Sequence, residues 1–166
     1  MRLPPAADPA DPIALRPIAQ ADVDSVIGGW HATNLSTYTY VAEHQKHTLD
    51  DAGRFFVDHV LAECEVWVAA TRSSDSEVLC GVIAARSDWI MQFAIFEGWR
   101  RRGIGSRLLA LAKARSPRGL QLYTFRRNTP ARLFCERHGF VAAAFGVSPA
   151  PESEPDVLYR WTPTPN

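Results

Sequence analysis

The chain has 166 residues, 46% hydrophobic and 22% charged, enough for one ordinary globular core and too few for two full domains. Its 18 Lys and Arg balance 18 Asp and Glu, which argues against a surface made to coat nucleic acid and against an acidic disordered tail. Three scattered cysteines, Cys64, Cys80 and Cys135, with no Cys-x-x-Cys or Cys/His pair at zinc spacing, exclude a disulfide framework and point to a reduced, cytoplasmic setting without a structural metal.

The neutral total hides a segregation. There are 6 basic and 14 acidic residues from Met1 to Trp99, 11 and 1 from Arg100 to Phe140, and 1 and 3 from Val141 onward, so the local balances are −8, +10 and −2. A basic block inside a neutral domain suggests a polyanionic ligand met by one region of the surface. The opening Met1 to Pro12 carries one positive charge and no continuous apolar run, so it reads as neither a signal peptide nor a membrane anchor. Residues 1–11 are expected to be a disordered Pro/Ala-rich tail, because they offer little to bury against their ordering entropy. Residues 12–162 are expected to form a single domain.

Ile13-Ala14-Leu15-Arg16 alternates and meets Pro17, which predicts a short edge strand ending near Ile18. Asp22, Val23, Val26, Ile27 and Trp30 have the spacing of an amphipathic helix that stops near Thr33-Asn34. From Asn34 to His47 the chain is polar, aromatic and without a clean period, and it reads as a binding loop holding Tyr38, Tyr40, His44 and His47. Thr48 with Asp51 three residues on is a capping signal, and a helix from about Leu49 to Ala62 follows. Val66–Ala70, a Ser73–Ser76 turn and Val78–Ala84 predict a hairpin. Asp88 opens a strongly apolar run, Trp89 to Phe96, expected at the centre of the sheet. A basic glycine turn then leads into a helix from Ile104, which Ser116-Pro117-Arg118-Gly119 ends. Leu120–Thr124 is a strand, Thr129–Arg137 a short helix, Phe140–Phe145 a strand, Pro149–Pro155 a loop, and Val157–Trp161 a last strand. The order describes a mixed α/β domain with one central crossover.

Arg100-Arg101-Arg102-Gly103-Ile104-Gly105-Ser106 joins an apolar strand to a helix start, where backbone N–H groups lack partners and the helix dipole is positive. Glycines there let an anion approach the backbone, and the arginines raise the local potential. The turn is not a Walker loop, because no Gly-Lys-Ser/Thr follows. It is not a dinucleotide fingerprint, because the third glycine is absent. The whole segment from Gln92 to Leu109, QFAIFEGWRRRGIGSRLL, followed by Asn128 to Phe140, NTPARLFCERHGF, resembles the GCN5-related N-acetyltransferase (GNAT) family. In that family the pattern Arg/Gln-x-x-Gly-x-Gly/Ala binds the pyrophosphate of acetyl-CoA. The likeness follows the element order from about Ile13 to Trp161 and is specific from Gln92 to Phe140.

The resemblance implies a central, mostly antiparallel sheet of about seven strands with two splayed central strands, flanked by about four helices. It implies transfer of an acetyl group from acetyl-CoA, as cosubstrate and with no metal, to a primary amine of a small molecule or peptide by direct attack. Phe93, Ala94 and Ile95 would run beside the pantetheine arm, and Arg100, Arg101, Arg102, Gly103, Ile104, Gly105 and Ser106 would cradle the pyrophosphate. Asn128 would bond the cofactor arm and Phe134 would flank it. Arg115, Arg118, Arg126 and Arg127 read as solvated surface arginines at least as well as contacts to the nucleotide 3′-phosphate. The oxyanion donor in this family is usually a backbone N–H of the central strand, here at Ile95 or its neighbour.

Two family positions differ. Cys135 stands where many relatives have the tyrosine that protonates the leaving thiolate, so the acid is Cys135, a water, Tyr123 or Tyr159. Gln92 stands where many have a glutamate base, and an amide cannot take a proton. Glu43, His44, His47, Asp50 and Asp88 are the candidates to replace it, with His47 first. Tyr38, Tyr40 and Trp89 are candidate acceptor walls, and the acidic first part of the chain suits a cationic amine. These departures sustain an alternative, a catalytically weak or inactive acyl-CoA-binding regulatory domain of the same fold. A nucleic-acid partner is not expected, because the basic block is interleaved with apolar helix positions and lacks an aromatic strand or helix-turn-helix pattern. No membrane partner is expected, and a homodimer is left open.

Overall fold

Alternating and continuous apolar runs rich in Val, Ile, Trp and Phe supply the strands, and charged segments of period near 3.6 supply the helices that cover them. The computed structural model describes residues 12–165; the expected tail over residues 1–11 lies outside the described residues. Seven strands form one sheet: β1 (Ala14–Pro17), β2 (Glu65–Ser73), β3 (Ser76–Arg86), β4 (Trp89–Ile95), β5 (Leu120–Phe125), β6 (Val141–Val147) and β7 (Pro155–Trp161). Their order across the sheet is β1-β2-β3-β4-β5-β7-β6. All neighbours are antiparallel except β4 and β5, which are parallel.

The helices are α1 (Val23–Thr37), α2 (Ala42–Lys46), α3 (Leu49–Phe55), α4 (Ile104–Ala114) and α5 (Thr129–Arg137). Two starts are capped by side chains, the first as the sequence suggests. Thr48 Oγ1 accepts the Asp51 N–H at 3.2 Å while Asp51 accepts the Thr48 N–H at 3.0 Å, and Asn128 Oδ1 accepts the Ala131 N–H at 3.3 Å ahead of α5. Each satisfies donors that a helix leaves open at its first turn.

Three expectations need correction. Helix α1 runs on past Thr33-Asn34 to Thr37, because the hydroxyls of Thr33 and Ser36 bond backward to the Gly29 and Thr33 carbonyls at 2.7 and 3.1 Å rather than breaking the helix. The expected loop contains α2, which Gln45 ties to the end of α1 by donating to the Leu35 and Tyr38 carbonyls, both at 3.1 Å. Third, the helix expected from about Leu49 to Ala62 keeps its span but changes type, α3 continuing from Phe56 to Leu61 as a π-helix, whose wider turn keeps Phe56 and Val60 on the buried face.

Adjacent residues of β4 show how the layers lie. Trp30 of α1 donates its indole N–H to Gln92 at 3.1 Å, whereas the ring of Phe93 lies 5.7 Å from that of Phe134 in α5. Successive strand residues point to opposite faces, so α1 covers one face and α5 the other. Helix α4 packs on β2, β3 and β4. The core fills both interfaces, with Val26, Phe56, Val68, Val82, Leu108 and Val157 wholly or almost wholly shielded from water.

Candidate functional site

The sheet is open at its centre. Strands β4 and β5 share only the Trp89↔Gln121 position and then diverge, and a groove of about 870 Å³ passes between them. Phe93 and Phe134 line it from the α5 face, while Trp30, Gln92, Tyr38 and His44 line it from the α1 face. The gap therefore joins the two faces of the sheet, so a ligand entering on one side can meet a second ligand on the other. Of the residues singled out from the sequence, Gln92, Phe93, Asn128, Phe134, Cys135 and His47 all reach this groove. Ala94 is buried opposite Val82 of β3, and Ile95 lies opposite Gly81.

The arginine-glycine turn lies beyond the carboxyl end of β4. Gly103 is the N-cap of α4, with a left-handed φ of +76° and no side-chain cap, which leaves the first N–H groups of the helix to an outside acceptor. Arg100 bends back, donating to Thr37 Oγ1 at 3.1 Å and, more weakly, to the Ile95 carbonyl at 3.4 Å. Arg102 stacks over Trp99, 4.9 Å from the ring centre. His138 bridges two elements: its Nδ1 donates to the Phe134 carbonyl at 2.8 Å, and its Nε2 hydrogen-bonds the Ser106 hydroxyl at 2.9 Å. The His138 ring also lies on Phe134, with centroids 4.2 Å apart.

On the α1 face the polar aromatic segment is ordered by stacking. Tyr38 meets Phe125 edge-on at 5.2 Å and His44 at 5.0 Å, and His44 stacks on His47 at 6.1 Å. His47 is exposed. His44 is half-buried and lies with Nε2 3.7 Å from Glu152 Oε1. Burial outweighs the carboxylate and lowers His44 below the ordinary 6.5. The other candidate bases are engaged: Glu43 with Lys46 at 2.6 Å, and Asp88 with Gln121 at 3.1 Å. Asp50 lies in the first turn of α3.

Cys135 is 4% exposed, and burial pushes its thiol up to about 11. Tyr159 does not line the groove; its hydroxyl donates to Glu136 at 2.7 Å and accepts from Arg132 at 3.2 Å. Tyr123 does line it, and stacks on Trp89 at 5.4 Å. Among the outlying arginines, Arg115 pairs with Glu65, Arg126 lies over Phe145, and Arg127 lies 3.2 Å from Glu154 at an angle poor for a hydrogen bond.

Residues 62–142 match the family model of the acetyltransferase (GNAT) domain. That segment belongs to the GNAT acetyltransferase family. A search of curated proteins returns no match. Among solved structures, the GNAT domain superimposes on apo YjaB from Escherichia coli with a TM-score of 0.72 and 19% identity, over 90% of this chain and 97% of the other. Arabidopsis thaliana NAA60, in complex with a bisubstrate analogue, gives a TM-score of 0.67 and 18% identity, over 91% and 98% of the two chains. Spermidine N-acetyltransferase from Vibrio cholerae, in complex with CoA and spermine, gives 0.68 and 14% over 90% and 95%. At these identities the likeness is one of fold.

The GNAT domain fits a nucleotide thioester by its own features: an open strand gap, an uncapped helix start behind Gly103, and a basic turn beside it. Among the described residues no group of three or more His, Cys, Asp or Glu is arranged to hold a metal ion. No described helix is long and apolar enough to cross a membrane. Two groove residues escape a sequence reading. Glu152 sits in the Pro/Glu/Ser loop, and Asp156 sits at the head of β7, where nothing in the local pattern signals that a carboxyl group is turned inward.

Proposed function

We propose that residues 12–162 form a single cytoplasmic N-acetyltransferase domain that moves an acetyl group from acetyl-CoA to a primary amine by direct attack. The observation that carries this reading is the parting of β4 and β5 after one shared position, with the groove running through it and the start of α4 brought against its wall where Gly105 meets Phe134. Bound acetyl-CoA would supply the activated acyl group. The N–H groups at the start of α4, with Arg101 and Arg102, would hold its pyrophosphate. Phe93, Ala94 and Ile95 of β4, with Asn128 and Phe134 of α5, would align its arm along the gap.

Two proton tasks remain for the chain. His44, turned toward the groove and steadied by Glu152, takes a proton from the acceptor ammonium or a water relaying it. Its lowered proton affinity leaves the imidazole neutral at pH 7, as a base requires. Cys135 holds the proton offered to the departing sulfur, and at about 11 its thiol stays protonated across the neutral range. Gln92, fixed by Trp30, shapes the passage and exchanges no proton. A backbone N–H of β4 at Ile95 or its neighbour stabilises the developing oxyanion.

Calorimetric titration with acetyl-CoA, followed by a thiol-release assay over amines and peptides, tests this reading. Saturable binding with amine-dependent release is expected. Binding without release would favour the regulatory alternative, and absence of binding would overturn the assignment.

A further inference from the structure

Asp156 is the unexplained group of the groove. It is 7% exposed, lines the cavity, and its carboxyl group has no hydrogen-bond or ion-pair partner among the described residues. Its oxygens are not wholly sealed from water: they open to the groove, where an incoming ligand can meet them. Strand register shows which side it faces. Asp156 lies directly across from Phe125 of β5 and Gly146 of β6, and residues paired across strands share a face. Phe125 packs on Tyr38 and His44, so the Asp156 carboxyl group opens to the α1 side, away from the Phe93 and Phe134 side.

Space has been left over it. A Cβ at Gly146 would lie 3.2 Å from Asp156 Oδ1, tighter than ordinary contact, and the next residue of β6 on that face is Ala144, opposite Leu158. The walls of this recess are aromatic. Its charge is one-sided: Asp51, Glu152 and Asp156 line the groove, and among the described residues no lysine or arginine does. Glu152 is already opposite His44, which leaves Asp156 to meet whatever binds.

We propose that Asp156 anchors a positively charged nitrogen of the acceptor, and that the acceptor is a compact cationic amine with an apolar or aromatic body and no carboxylate of its own. This inference rests on the acetyltransferase reading above, since it assigns the second ligand of the same groove. Asp51 is offset by Arg54 at 2.6 Å, but an acceptor carrying a carboxylate would still face Glu152 and Asp156 with no lysine or arginine among the described residues lining the groove.

The test uses two matched pairs that differ by a charge, tyramine against tyrosine and 1,4-diaminobutane against 4-aminobutanoate, titrated into the CoA-loaded protein. The carboxylate-free member of at least one pair should bind more than about tenfold tighter than its counterpart, and Asp156→Asn should remove that preference while CoA affinity holds. Asp156→Asn should also leave the thermal midpoint of the ligand-free protein unchanged, because no described residue bonds or pairs with this carboxyl group. A lowered midpoint would mark a structural role instead. Gly146→Val should mimic the loss by crowding the carboxyl group. If CoA binds but both members of each pair bind alike, or neither pair binds, or Asp156→Asn keeps the preference, this inference fails and the acetyltransferase reading stands. If the wild-type protein does not bind CoA, the acetyltransferase reading fails and takes the inference with it.

Discussion

His44 and Cys135 show how residue chemistry is set by burial. An imidazole charges on protonation, so shielding lowers its proton affinity; a thiol charges on losing its proton, so the same shielding raises it. Hence His44 lies below 6.5 and Cys135 at about 11. For His44 the sign is direct: the base must be neutral, so kcat/KM should be flat at neutral pH and fall only as pH drops below the usual histidine range. His44→Gln should lower kcat by about a hundredfold and abolish that acid limb in a pH–rate profile. Folding follows the same sign. The unfolded chain binds the His44 proton more readily, so this residue costs stability as pH falls below 6.5. Cys135→Ala should lower kcat by about tenfold or more with acetyl-CoA affinity unchanged by calorimetry, whereas Cys135→Ser, which keeps a proton, should lose less. The sequence put His47 ahead of His44. The role is proposed for His44 instead because Glu152, more than a hundred residues away in the chain, faces it, whereas His47 is exposed.

Among the elements, the turn into α4 was the most legible, because its chemistry is local. A helix start exposes N–H groups whatever the rest of the chain does, and Gly103 adopts the left-handed conformation that favours glycine. Arg102→Glu with Gly103→Asp puts negative charge at the positive end of the helix and strains the cap. The pair should weaken acetyl-CoA binding by about a hundredfold or more while the far-ultraviolet circular dichroism is unchanged. The three arginines, equivalent as letters, are not equivalent in space: Arg100 is bonded to α1 and Arg102 is stacked on Trp99. Helix α2 was illegible for the opposite reason. Five residues are too few to carry a helical period, and what fixes them is Gln45 reaching two carbonyls at the end of α1. The run of α1 past Thr33 was obscured in the same way, because Thr, Asn and Ser also favour caps and turns.

In the molecule as a whole, one sheet carries two opposed functions. Its helical layers must hold it rigid around an opening that its own hydrogen bonds do not close. Leu108, fully buried on the inner face of α4, is part of that support, and Leu108→Ala should cost about 3 kcal/mol in chemical denaturation. The charge segregation, −8 before Arg100 and +10 from Arg100 to Phe140, suits an anionic cofactor arriving at one region and a cationic acceptor at another. Raising salt to about 1 M, where the screening length falls to about 3 Å, should weaken acetyl-CoA binding by about tenfold. A flat salt response would mean that the arginine-rich turn does not hold the phosphates.

The sequence by itself determined the α/β class, nearly all the strands, the Thr48 helix cap and the basic glycine turn, because each depends on neighbours a few residues apart. It also placed Gln92, Phe93, Asn128, Phe134 and Cys135 in two blocks that the groove brings together. The resemblance already implied two splayed central strands, and β4 and β5 do part after a single shared position; tertiary structure alone decided that His44 meets Glu152, and that Asp156 turns an unpaired carboxyl group toward the space beside Gly146. Pairing between distant segments sets each of these, and side-chain direction in a strand depends on register, where a slip of one residue would send Asp156 to the opposite face.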